Sequence, residues 1–172
     1  VCSSDLTGEP IRSNITVVDP DGTTTKLNAP GTHFDAQLRE KLDALVVERS
    51  KGAEWVVLAG SLPPGLEPTY YSELVAALRA SGYEGKIAID TSEAPLIATV
   101  AGEHKPTLIK PNSEELAQLT GSDNWEELEA SPELTARTAQ KLLGDGIEYV
   151  LATLGGGGAV LVTEEGIWHA VH

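Results

Sequence analysis

Hydrophobic and polar positions change period several times along this chain, and the changes mark its elements. Residues 11–18 (IRSNITVV) alternate and are rich in β-branched types, so they read as a strand. Residues 23–27 (TTTKL) read as a second strand. Asp19-Pro20-Asp21-Gly22 lies between them, with Pro presetting φ and Asp-Gly accepting positive φ, which predicts a hairpin. Residues 35–49 then repeat with helical spacing and bring Leu38, Leu42, Leu45 and Val46 to one face.

Strand and helix patterns alternate from there on. Residues 55–59 (WVVLA) form a continuous apolar run, as expected of a strand covered on both faces. Residues 68–80 read as a helix that Ser81-Gly82 ends, and residues 86–90 (KIAID) as a strand. Ser92 is placed to cap a short helix through residue 100. The stretch 108–116 (LIKPNSEEL) is a strand end broken by Lys110-Pro111, followed by capping residue types and a helix start. Residues 121–131 predict a polar loop or broken helix pinned by Trp125 and Leu128. Residues 132–143 predict a helix with Pro at its start and Gly144 after its end. Residues 149–154, 159–163 and 167–171 read as strands, separated by four glycines and a Glu164-Glu165-Gly166 turn. This alternation predicts an α/β fold of βαβ units with a mostly parallel sheet. Right-handed crossovers then bring the polar or glycine-rich turns at Gly60, Asp90, Lys110 and Gly155 to one sheet edge. That edge is where open α/β sheets bind ligands.

Composition narrows the partners. The 172 residues carry a net charge of −14, which argues against nonspecific nucleic-acid binding and against an anionic membrane surface. It leaves room for an anionic substrate, since a few local cations suffice for a phosphate pocket. The single cysteine, Cys2, excludes an internal disulfide, as suits a reducing compartment, and no apolar run approaches the ~18 residues of a membrane span. The leading VCSSDL has neither the basic start nor the apolar middle of a signal peptide, and residues 1–6 read as a non-native leader.

Each candidate for chemistry has a plain structural counterpart. A helix start after Lys110 offers backbone N–H groups and partial positive charge to a phosphate. Asn112 and Glu115 are equally spaced as a capping box, and Lys110 is equally a solvated charge; on spacing alone the structural role carries more weight. The run Thr153 to Ala159 (TLGGGGA) lacks the Lys-Ser/Thr of a Walker A loop and the third glycine of a dinucleotide fingerprint. It is either a loop that lets backbone approach a nucleotide or a flexible hairpin turn. GSLPPG (60–65) is either a rigid wall beneath a substrate or a strand terminator. Asp90, at a strand end, suits a metal, a sugar hydroxyl or a neighbouring turn. Arg12 and Asn14 share one face of the first strand, where an Arg either grips a phosphate or lies in solvent. The four histidines show no metal-ligand spacing.

GSLPPG, IDTS (89–92), KPNSEEL (110–116) and TLGGGGA, in that order, resemble the motifs of ribokinase-type sugar kinases of the phosphofructokinase B group, over residues 7–172. The resemblance implies a ribokinase-like three-layer α/β/α domain, truncated at both ends, with residues 11–28 forming part of a β-lid. It implies ATP and Mg²⁺ as cofactors and a cytoplasmic protein. Asn112 and Glu115 match the motif that organises Mg²⁺ and phosphate through water. Lys110 matches the lysine near the nucleotide phosphates, and Thr153, Gly155 and Gly158 match the loop against the nucleotide. Arg12, Asn14 and Ser61 fall where the family meets the sugar phosphate. Within the group the likeness is greatest to the branch that converts fructose 1-phosphate to fructose 1,6-bisphosphate. Tagatose 6-phosphate and fructose 6-phosphate are the alternative acceptors, and a non-catalytic nucleotide- or sugar-phosphate-binding domain is the alternative role. A Rossmann dehydrogenase half is disfavoured, since its glycine fingerprint is missing. The family's glycine-rich substrate segment and its Gly-Ala-Gly-Asp segment have no counterpart in the sequence. The catalytic base, that segment's Asp, is expected beyond His172, and the 172 residues alone are expected to be inactive and to leave a sheet edge unpaired. In some relatives the lid makes a dimer contact, which implies a homodimer.

Overall fold

The computed structural model describes residues 12–171. The expected leader at 1–6, the strand start at Ile11 and the end at His172 lie outside the described residues.

The chain opens with a hairpin, β1 (Asn14–Val18) against β2 (Thr24–Asn28), paired antiparallel from Asn14↔Asn28 to Val18↔Thr24. Its turn closes as the Asp-Pro-Asp-Gly sequence requires. The Gly22 N–H donates to the Asp19 carbonyl at 2.9 Å and Gly22 adopts φ +89°. Helix α1 (Ala36–Ser50) follows, with the Asp35 carboxylate accepting from the Leu38 N–H at 2.7 Å as its N-cap.

Six further strands form one sheet in the order β3 (Trp55–Ala59), β4 (Lys86–Asp90), β5 (Leu108–Ile109), β6 (Tyr149–Thr153), β7 (Ala159–Val162) and β8 (Ile167–Ala170). β3 to β6 are parallel to their neighbours; β7 and β8 turn back antiparallel. Helices α2 (Tyr70–Ala80), α3 (Glu93–Ala101), α4 (Ser113–Thr120), α5 (Trp125–Ala130) and α6 (Pro132–Ala139) occupy the crossovers. The strand order advances in one direction, so right-handed crossovers put these helices on one face. Burial agrees. Ile87, Ile89, Ile109, Val150, Val160 and Val162 are fully buried in that face. On the opposite face Val57 and Trp168 are 65% and 51% exposed, so among the described residues β3 is covered on one face only, not on both as its apolar run predicted. Among the described residues β3 pairs only with β4, so its outer edge is open, as expected.

Several boundaries moved. The helix expected from residue 68 starts at Tyr70. The helix expected over 132–143 stops as α-helix at Ala139 and tightens into a 3₁₀ turn, Gln140–Leu142. The broken stretch at 121–131 contains α5, capped by the Asn124 side chain. Leu128 pins it at 1% exposure, whereas Trp125, expected to share that task, stays 41% exposed. Ser92 holds the cap position of α3, but its hydroxyl makes no capping bond.

Candidate active site

The parallel strands end together, and their turns line a cleft of about 320 Å³ that includes Gly60, Ser61, Asp90, Lys110, Asn112 and Thr153. Three of the four predicted turns therefore meet there directly, and the fourth contributes Thr153 at its start.

Backbone bonds explain the convergence. The Gly60 N–H donates to the Asp90 carbonyl at 2.8 Å, and the Lys110 N–H to Ile89 at 3.1 Å. The Thr153 N–H donates to Pro111 at 3.0 Å. Pro111 has no N–H to extend the ladder, so β5 stops at Ile109 and the chain turns into α4. Asn112 caps that helix. Its Oδ1 accepts from the Glu115 N–H at 2.8 Å, and Glu115 Oε2 accepts from the Asn112 N–H at 2.8 Å. The capping box is thus real. It uses one carboxylate oxygen of Glu115, and both residues still line the cleft. Lys110 Nζ lies 3.1 Å from Asp90 Oδ1.

The turn after β3 is fixed from below. The Gly60 carbonyl accepts from Tyr71 OH and from Thr91 Oγ1, each at 2.9 Å. Burial, and secondarily the Asp90 carboxylate, pushes the Tyr71 phenol up from its ordinary range, so it stays a donor. Arg12 reaches over from the foot of the hairpin, and its guanidinium donates to Ser61 Oγ at 2.6 Å. Arg12, Ser61, Lys110, Asn112, Glu115 and Thr153 therefore gather at one edge. Asn14, Gly155 and Gly158 do not line the cleft. Asn14 pairs with Asn28 in the exposed hairpin. The glycines form a 3₁₀ turn (Gly155–Gly157) linking β6 to β7, closed by the Leu154 N–H on the Gly158 carbonyl at 2.9 Å. His169 Nε2 lies 2.9 Å from the Gly157 carbonyl and ties the turn to β8.

Nothing local marks Tyr71 for this role, since a tyrosine on an apolar helix face reads as core, and Thr91 enters the sequence only as a member of the IDTS motif. A larger hollow, about 620 Å³, opens at the other end of β6 beside Leu161 and Trp168. Glu148, Glu164 and Glu165 rim it and disfavour anions, so the smaller cleft is the better candidate for phosphate chemistry.

A parallel sheet with a Lys-Pro-Asn turn, a capped helix and a glycine loop at one edge is the ribokinase-like α/β fold. The chain belongs to the pfkB family of carbohydrate kinases, whose pattern matches residues 3–172. It is 34% identical over 158 residues to 1-phosphofructokinase of Rhodobacter capsulatus, covering 88% of this chain and 46% of that protein. Phosphofructokinase-2 from Escherichia coli in complex with fructose-6-phosphate superposes with a TM-score of 0.76 at 28% identity, over 92% of this chain and 50% of that one. The tetrameric inhibited form of that enzyme gives 0.75 at 28% identity, with the same coverage. The chain spans about half the length of these relatives.

Proposed function

We propose that the protein transfers a phosphoryl group from ATP to a hydroxyl of a sugar phosphate, with fructose 1-phosphate as acceptor and fructose 1,6-bisphosphate as product. The observation that carries this reading is the cleft itself. It gathers Lys110, the N-terminus of α4 and Ser61, with Arg12 bonded to Ser61, and cations beside a helix N-terminus support a phosphate-binding reading. The likeness to a 1-phosphofructokinase favours fructose 1-phosphate among acceptors.

In this reading Lys110 meets the nucleotide phosphates, while Thr153, Gly155 and Gly158 lie along the nucleotide. Arg12, Asn14 and Ser61 hold the sugar phosphate beneath the lid formed by residues 11–28, within a kinase domain over 7–172. Asn112 and Glu115 fit Mg²⁺ held through water. They offer hard oxygen donors, yet no group of three or more acidic, His or Cys side chains among the described residues would bind the ion directly. The ion supplies neutralisation of the phosphate charge; the protein's share is positioning. The base that takes the acceptor hydroxyl's proton lies outside these 172 residues in this proposal, so the isolated polypeptide binds ligands without measurable turnover. The same reading places the protein in the cytoplasm and pairs two copies through the lid hairpins. No helix of the described residues is long and apolar enough to cross a membrane.

A coupled ADP-release assay tests this, run on the 172-residue polypeptide and on a longer product that includes the proposed base. Fructose 1-phosphate should be the best acceptor of the longer product. Preference for tagatose 6-phosphate or fructose 6-phosphate would reassign the acceptor. Binding with no transfer to any of the three would replace the kinase reading by a non-catalytic binding domain.

A further inference from the structure

The carbonyl of Gly60 receives two hydroxyls, from Tyr71 on α2 and from Thr91 just after β4, each at 2.9 Å. Both side chains are buried, at 7% and 5% exposure. Gly60 has no Cβ to restrict the orientation of the peptide that follows it. A Cβ at Gly60 would meet nothing within 4 Å, and at φ +101° a glycine tolerates more than one orientation of the following peptide plane. The two hydrogen bonds therefore decide how it points. The peptide is trans, so its carbonyl and the next N–H face opposite ways. With the Gly60 carbonyl drawn toward the helix layer, the Ser61 N–H is turned outward. Ser61 lines the cleft, its Oγ already holds the Arg12 guanidinium, and among the described residues its N–H has no hydrogen-bond partner.

We propose that Tyr71 and Thr91 are positioning residues that lock the Gly60–Ser61 peptide, so that the Ser61 N–H stands in the cleft as a fixed donor to an anionic oxygen of the acceptor substrate. The proposal rests on the sugar-phosphate reading of the cleft and names two residues that never touch the ligand. Two donors on one carbonyl leave the peptide aligned when either one fluctuates. A donor aligned in advance adds affinity without an ordering cost on binding.

The lock is tested first without ligand. Relaxation dispersion of the Ser61 amide should be flat in the unaltered protein and show exchange in the Tyr71→Phe/Thr91→Val double variant. Thr91→Ser, which keeps the hydroxyl, should stay flat. A flat profile in the double variant overturns the lock. Kinetics on the longer product, which carries the proposed base, test its purpose. The double variant should raise KM for the acceptor sugar phosphate roughly two- to tenfold, the range one lost hydrogen bond from the Ser61 N–H gives, and leave KM for ATP unchanged. Tyr71→Phe/Thr91→Ser, which keeps one of the two hydroxyls, should restore the acceptor KM. Equal changes in both KM values, or lost thermal stability with neither changed, would make the pair purely structural and overturn the positioning role. Exchange at Ser61 in a protein that phosphorylates no sugar phosphate would leave the lock standing and remove the kinase reading, so the two failures are separable.

Discussion

Lys110 and Asp90 face each other across the ends of adjacent parallel strands, Nζ 3.1 Å from Oδ1. The pair is partly open to solvent, with side chains 34% and 47% exposed. Such pairs contribute at most about 1 kcal/mol to stability. Asp90→Asn should therefore shift the fold by less than that. If Lys110 meets the nucleotide phosphates as proposed, Lys110→Met removes a charge-assisted contact worth about 1.5–3 kcal/mol, and ATP affinity should fall roughly 10- to 150-fold. Titration calorimetry with ATP, beside a melting curve, reads both. Unchanged affinity in Lys110→Met would leave Lys110 as a solvated cation.

Asn112 and Glu115 serve the helix and line the cleft, and substitutions separate the two tasks. Asn112→Ala breaks the cap and should cost about 1 kcal/mol, or about 2–4 °C in Tm for a chain of this size. Glu115→Gln keeps the box, because a glutamine reaches back equally well. It should melt like the parent but need several-fold more Mg²⁺ to bind nucleotide. If its Mg²⁺ dependence matches the parent, Glu115 is a capping residue and nothing more.

The four glycines are not equivalent. Gly158 sits at φ +89°, and a Cβ there would lie 2.0 Å from the Ala170 carbonyl oxygen of β8. Gly158→Ala combines backbone strain of about 1–2 kcal/mol with displacement of that strand, so Tm should fall by at least about 4 °C. At Gly156 a Cβ meets nothing within 4 Å, and Gly156→Ala should leave Tm within about 2 °C. Equal losses at both positions would show that glycine is needed for flexibility along the whole loop, not for one close contact.

The legible parts of the fold were those set by local chemistry. The WVVLA and KIAID runs became strands at the residues read, because an apolar run bounded by turn residues has few other uses. The meeting of the turns at one edge followed from strand order and crossover handedness, not from any motif. What stayed hidden depended on tertiary contact. Nothing local marks Tyr71 as a donor to Gly60, or separates Leu128, sealed in the core, from the exposed Trp125 three residues earlier. Asn14 was placed correctly on the hairpin, yet its distance from the cleft lining depends on how the hairpin leans over the sheet.

Acid and alkali should unfold the protein through different groups. Hydrogen bonds from Thr69 and then Arg39 hold the Glu73 carboxyl below its ordinary value. As pH falls below about 4.3 the unfolded state takes up a proton there first. It then binds more protons than the folded state, and stability drops with acidification. Glu73→Gln should flatten that limb. Burial, and next the Asp43 hydrogen bond, pushes the Tyr70 phenol up. Above pH ~10 the unfolded tyrosine ionises while the folded one keeps its proton, so stability falls as pH rises. Tyr70→Phe should flatten the alkaline limb. Tm measured from pH 3 to 11 checks both, and limbs unaltered in the variants would refute the assignments.

The hairpin of β1 and β2 carries an exposed apolar stripe among the described residues. Ile15 pairs with Leu27 and Val17 with Thr25, which sets Ile15, Val17 and Leu27 on one face at 56%, 46% and 57% exposure. A lone two-stranded hairpin is marginally stable in water, so this face needs a cover. A second copy of the hairpin is the cover proposed above, since the stripe is apolar enough to pair with itself. Leu27→Lys would place a charge at the centre of such a contact. Light scattering at micromolar concentration should then report a dimer for the parent and a monomer for Leu27→Lys, with little change in the melting of the sheet domain. A parent that is already monomeric under those conditions would remove the self-pairing role of the hairpin and leave it as a lid alone.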